Sequence, residues 1–164
     1  MVWQFRVARA EEVDQVRQVL LDAAGRLQTQ GQPMWQPDEL GDAQIRPDVL
    51  AGRFHVAVLE GHIRAVVKLQ VDDPLFWPEL PPRSALVVHR LAVAPDWAGR
   101  GLAQFMLDQA QACARQQGLP SLRLDCESSR PALRQVYLQY GFQWLDDQQV
   151  GPWHVSRLCM LLTP

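Results

Sequence analysis

The chain has 164 residues, 48% apolar and 21% charged, which is the balance of a soluble globular protein long enough to bury a core within one domain spanning 1–164. Sixteen Lys and Arg against eighteen Asp and Glu leave a formal charge of −2, which argues against wrapping nucleic acid by bulk charge. No apolar run approaches the ~18 residues of a membrane span, no basic head and apolar run open the chain, and the three cysteines and four histidines are scattered without a Cys-x-x-Cys pair. These features predict a protein of the reducing cytoplasm with no membrane partner, no metal and no disulfide framework.

In chain order, Val2 to Val7 reads as a short strand. Glu11 and Glu12 suit the positive end of a helix, whose buried stripe is Val13, Val16, Leu20, Ala23 and Leu27. Gly31 to Pro37 is an irregular turn carrying Trp35, and a short helix is expected around Pro47 to Gly52. Phe54 to Leu59 is a strand, Glu60-Gly61 a turn, and Ile63 to Val71 alternates apolar and polar residues, so the pair is a hairpin. Four prolines between Asp73 and Arg83 make that stretch a loop. Ser84 to Val93 is the most continuously apolar run and is expected as a central strand buried on both faces.

The second half follows the same grammar. Gly99-Arg100-Gly101 feeds a helix from about Leu102 to Gln117, ended by Gly118. Leu122 to Cys126 is a strand; Ser129 and Pro131 open a helix with the stripe Leu133, Val136, Tyr137 and Tyr140, stopped by Gly141. Phe142 to Leu145 and Val155 to Leu162 close the chain as strands around Gly151-Pro152. The fold class is therefore α/β (α+β), a mixed sheet flanked by helices on both faces.

The richest chemistry lies between Val93 and Ala103, where a buried strand makes a glycine-rich turn and enters a helix. Glycines bring main chain close to a ligand, and a helix start offers free N–H groups at a positive dipole end, so the turn suits a phosphate or diphosphate. Position 104 is Gln, which fails the dinucleotide-binding fingerprint, and the Gly-Lys-Ser/Thr of a P-loop is absent.

Ala98-Gly99-Arg100-Gly101-Leu102-Ala103 resembles motif A of the GNAT superfamily of N-acetyltransferases, Gln/Arg-x-x-Gly-x-Gly/Ala, with Gly101 and Ala103 at the last two positions and Ala98 in place of the Gln or Arg. His89 to Pro95 resembles the strand preceding that motif. Arg130 to Phe142 is similar to motif B, with Tyr137, Gly141 and Phe142 matching, Arg130 in place of the usual Asn, and the small residue displaced to Ala132. One helix and one strand separate the two motifs, as in the family.

The resemblance implies an acyl-CoA N-acyltransferase fold that uses acetyl-CoA as co-substrate and acetylates an amine of a small molecule or peptide by direct attack. It implies that the strand ending at Val93 splays from the one ending at Cys126, that Leu91, Ala92 and Val93 pair with pantetheine, and that Ala98, Gly99, Arg100, Gly101, Leu102 and Ala103 hold the diphosphate. Arg100 either adds charge there or is a solvated turn residue. Tyr137 matches the family's general acid at the thiolate, and its other reading is a core tyrosine. His89 is the candidate base; without a bulge it shares a face with Val93, and Asp125, Glu127 or a water chain are alternatives. Trp35 and Trp77, in loops, either border an acceptor pocket or cover the core edge. A non-catalytic CoA sensor and an unrelated phosphate binder are the rival functions, and monomer and homodimer both stay open.

Overall fold

In the computed structural model, residues 1–163 are described. Seven strands hydrogen-bond in the order β1-β2-β3-β4-β5-β7-β6. They are β1 (Gln4–Val7), β2 (Phe54–Leu59), β3 (His62–Val71), β4 (Leu86–Val93), β5 (Ser121–Glu127), β6 (Gln143–Val150) and β7 (Trp153–Leu161). The helices are α1 (Val13–Thr29), α2 (Asp42–Leu50), α3 (Leu102–Gln116) and α4 (Pro131–Tyr140). The sheet is mixed, as the sequence predicts: β4 and β5 run parallel, while β1–β2, β2–β3, β5–β7 and β6–β7 are antiparallel. Backbone contacts divide the chain into two compact units, Met1–Leu69 with Arg90–Gln109, and Gln70–His89 with the chain from Ala110 onward.

In the first unit, the α1 stripe is buried at Val13, Val16 and Leu20, while Ala23 and Leu27 are only partly buried and Ala24 is buried instead. Val13, Val16 and Leu20 are at most 2% exposed and join Leu40, Ile45, Val49, Phe54, Val56 and Val66 in one core. The turn before α1 is fixed by Arg6, whose guanidinium grips Glu12 at 2.7 and 2.9 Å, while the same carboxylate accepts the Arg9 N–H at 2.8 Å. Bonding to Arg6 holds the Glu12 carboxyl below its ordinary range. α2 begins at Asp42, five residues before the expected start, and carries Pro47 inside it. Its true opening is Gly41, whose carbonyl accepts the amides of Gln44 and Ile45. Proline suits a helix start, which is why the sequence points to the wrong residue.

In the second unit, the proline-rich segment is a loop, and it is anchored rather than loose. Trp77 is 2% exposed, with Arg123 and Arg157 stacked over its ring at 4.8 and 4.5 Å from the centroid. Arg157 also binds both Asp146 oxygens at 2.8 Å, Glu79 at 2.6 Å and the Phe76 carbonyl at 3.0 Å. β6 extends to Val150, past the expected end at Leu145. Asp146 to Gln149 are polar, and this strand at the end of the sheet order pairs with β7 alone, so no apolar alternation marks it. Val136, expected in the buried stripe of α4, is 57% exposed; it lies on the flank of the Leu133–Tyr137–Tyr140 row.

β4 departs from the expected regular strand at one point. Arg90 has φ +52°, a left-handed conformation rare for a non-glycine residue inside a strand. The alternation that would set His89 and Val93 on one face does not carry across it. The parallel register between β4 and β5 comprises Leu86↔Leu122 and Val87↔Arg123, although β4 continues to Val93 and β5 to Glu127.

Candidate active site

In the first unit, the chain leaves β4 through a short 3-10 turn, Pro95–Trp97, and then passes Gly99 and Gly101 at φ +75° and +81°. Both angles belong to the region that glycine enters without a steric penalty. The Gly101 carbonyl accepts the Phe105 N–H at 3.0 Å, which places Leu102, Ala103 and Gln104 in the first turn of α3. Their amides have no carbonyl one turn earlier to bond. Leu102 is 4% exposed and anchors the turn, while Gly99, Arg100, Gly101 and Ala103 are exposed. A Cβ on Gly101 would meet no atom within 4 Å, so the approach to these amides is open.

Two sequence expectations gain detail here. Arg100, though exposed, lies over the Trp97 ring at 4.8 Å, with Arg64 over the same ring at 5.5 Å. Ala98 donates its N–H to the Pro95 carbonyl at 3.2 Å, so that amide serves the local turn. Upstream, Leu91, Ala92 and Val93 form one wall of a cavity of about 270 Å³. Its other walls include Arg26, Gln30, Met34 and Trp35.

In the second unit, His89 Nε2 lies 3.1 Å from Asp73 Oδ2. Asp73 is 6% exposed, and its Oδ1 accepts the amides of Leu75 and Phe76 at 3.0 and 3.3 Å. Burial pushes the Asp73 carboxyl up, but His89 and those amides outweigh it, and the net displacement is downward. Asp125 behaves in the opposite way. Burial, with repulsion from Asp73, raises it to about 6 against the attraction of His89. A carboxyl pair split in this way is a recurring sign of a functional cluster.

Tyr137 reaches the same cluster from α4. Burial, aided by Cys126 and Asp125, pushes its hydroxyl up to about 12, so it is a neutral phenol throughout the neutral range. Its ring meets Phe142 edge-on at 5.9 Å, and its carbonyl accepts the amides of Gly141 and Phe142 at 3.2 and 3.1 Å. Gly141 makes this possible at φ +133°. The Gly-Phe end of motif B is thus a helix stop that fixes the tyrosine. Cys126 is 7% exposed and pushed by burial to about 11, which makes it a poor nucleophile.

His89 and Tyr137 therefore share Asp125 as an electrostatic neighbour, and the glycine turn with Leu91–Val93 belongs to the first unit. Sequence reasoning missed Asp73. It precedes a proline in a loop, and nothing local marks it as the partner of a histidine sixteen residues later. It also missed Arg90, whose guanidinium lies over Trp35 at 5.3 Å. Of the two readings of Trp77, pocket border or core edge, its burial selects the core. No group of three or more His, Cys, Asp or Glu among the described residues is placed to hold a metal ion, and no helix there is long and apolar enough to cross a membrane.

The fold is that of GNAT acyl-CoA N-acyltransferases. A GNAT-family acetyltransferase from Listeria monocytogenes superposes with a TM-score of 0.81 at 20% identity, over 98% of this chain and 95% of that one. The PaiA N-acetyltransferase of Thermoplasma acidophilum, solved in complex with coenzyme A, superposes at 0.77 with 11% identity over 99% and 100%. In sequence, an uncharacterized N-acetyltransferase of Bacillus subtilis, YesJ, is 25% identical over 147 residues, 86% of this chain and 82% of its own. The model of the acetyltransferase (GNAT) family matches residues 19–142, and the chain belongs to that family.

Proposed function

We propose that the chain is a single-domain cytoplasmic N-acetyltransferase that moves an acetyl group from acetyl-CoA to an amine of a small molecule or peptide. The observation that carries this reading is the glycine turn: an open Gly101, with the first-turn amides of α3 behind it, in a chain of the GNAT family. Acetyl-CoA supplies an activated acyl group as a thioester. The amides of Leu102, Ala103 and Gln104 bind its diphosphate, with Gly99 and Gly101 giving close approach and Arg100 adding charge. Each charge-assisted hydrogen bond contributes about 1.5–3 kcal/mol. Main chain at Leu91–Val93 pairs with the pantetheine as an added strand would.

Two proton transfers remain. The acceptor ammonium loses a proton to become a nucleophile, and the departing thiolate gains one. His89, held by Asp73, is the base in this reading, and Tyr137 is the acid. A phenol at about 12 is not ionised by bulk solvent at neutral pH, so Tyr137 still holds the proton it donates to the thiolate departing beside it. The buried, protonated Cys126 favours direct attack over an acyl-cysteine intermediate.

Thiol release from acetyl-CoA against a panel of amines tests the reading. The expected result is amine-dependent release, with kcat lowered about 100-fold or more in Tyr137→Phe and CoA affinity retained. CoA binding without release for any amine would contradict the enzymatic role and leave a sensor; undiminished kcat in Tyr137→Phe would remove the acid.

A further inference from the structure

We infer that the acceptor amine carries a carboxylate, bound by Arg90 and Arg26 at the cavity beside β4. This deepens the proposed acetyl transfer and rests on it.

Arg90 sits at the left-handed position in β4, half-buried, with its guanidinium 5.3 Å above the ring of Trp35. Among the described residues that guanidinium has no ion pair and no hydrogen bond. The carboxylates that could serve it are engaged elsewhere. Asp48 is taken by Arg53 at 2.8 Å and Lys68 at 2.9 Å. Glu39 accepts the Gln36 amide at 2.8 Å. Burial opposes the Arg90 charge, and only longer-range attraction from Glu39 and Asp48 offsets it. Arginine does not shed its proton in a protein, so the deficit is relieved by an anion brought from outside.

Trp35 connects this charge to the cavity: one face seats Arg90, and the ring is also a cavity wall. Arg26, in the last turn of α1, is the arginine in the walls themselves, Arg90 being joined to them through Trp35, and Gln30 adds an amide. No Asp or Glu lines the cavity, so a di- or polycation meets positive charge there and nothing to balance it. The volume, about 270 Å³, equals the share of about nine waters in the liquid, which suits an amino-acid-sized amine. Another wall is Leu91–Val93, the strand segment proposed to run beside the pantetheine. An acceptor anchored by its carboxylate at Arg90 and Arg26 therefore lies beside the segment where the thioester is expected.

The test compares amines that differ only in the carboxylate, using thiol release from acetyl-CoA: L-phenylalanine against phenethylamine, L-tryptophan against tryptamine, and L-leucine against 3-methylbutylamine. At least one amino acid is expected to exceed its decarboxylated partner about 10-fold or more in kcat/KM. Arg90→Gln should raise KM for that amino acid about 10- to 100-fold with kcat little changed, and Arg90→Lys should fall between, since it keeps charge but loses the fork. CoA affinity measured by calorimetry should match wild type in both variants, which verifies their folding. Equal or better turnover of the decarboxylated amines, or an unchanged preference in Arg90→Gln, overturns the carboxylate assignment while leaving acetyl transfer standing. A wild-type protein that does not bind CoA overturns both.

Discussion

Asp125 is the residue whose protonation bears most directly on stability. Its carboxyl is raised from an ordinary 3.8 to about 6 by burial and by Asp73. A group raised in this way is held protonated by the fold. Its contribution is complete below the unfolded value and is lost as pH rises through the folded one. The difference corresponds to on the order of 3 kcal/mol. Stability should therefore fall between about pH 4 and pH 6 through this group, and Asp125→Asn should flatten that segment of the curve. Urea unfolding at half-unit pH steps measures it; an unchanged slope in the variant would show that Asp125 is not the titrating group. Asp73, displaced downward, acts with the opposite sign at more acid pH.

At the scale of elements, the anchored loop between β3 and β4 has the clearest energetic consequence. Arg157 on β7 joins Asp146 on β6 to Glu79 and Phe76 in that loop and covers one face of Trp77. Asp146 and Glu79 are partly exposed and regain water when released, so Arg157→Ala should cost about 2–4 kcal/mol. That lowers Tm by about 5–15 °C for a chain of this size. Calorimetric unfolding checks it, and a loss under 1 °C would mean that the loop is held elsewhere. The same loop carries Asp73, so the anchor also supports the seat of His89.

Turns and helix stops are the elements most legible in the amino-acid sequence. Gly99, Gly101 and Gly141 all stand at positive φ, where a side chain is strained, so the residue type itself reports the bend. The left-handed Arg90 carries no such mark, because an arginine at φ +52° looks like any strand residue in a sequence. β6 beyond Leu145 is hidden for a related reason: a polar edge strand has no apolar period to detect.

For the whole molecule, apolar periodicity suffices for element order and the mixed sheet, and two motifs suffice for the family. The partnerships within each unit join distant positions: Arg90 with Trp35 in the first, and Asp73 with His89 and Asp125 with Tyr137 in the second. Such pairs depend on how strands and loops return to one another, and no local pattern encodes them. The turn proposed to bind the nucleotide is the exception, since it is contiguous in sequence from Ala98 to Ala103.

Calorimetric titration of the purified protein with CoA, with ATP as the competing phosphate ligand, tests that turn most directly when wild type is set against Gly101→Ala. The added Cβ has open space around it in the unliganded chain, and its positive φ costs about 1–2 kcal/mol of stability. CoA should bind wild type in preference to ATP and lose at least about 10-fold in affinity in a variant that still folds. Equal affinity of the two proteins for CoA, or no preference for CoA over ATP, would contradict the account.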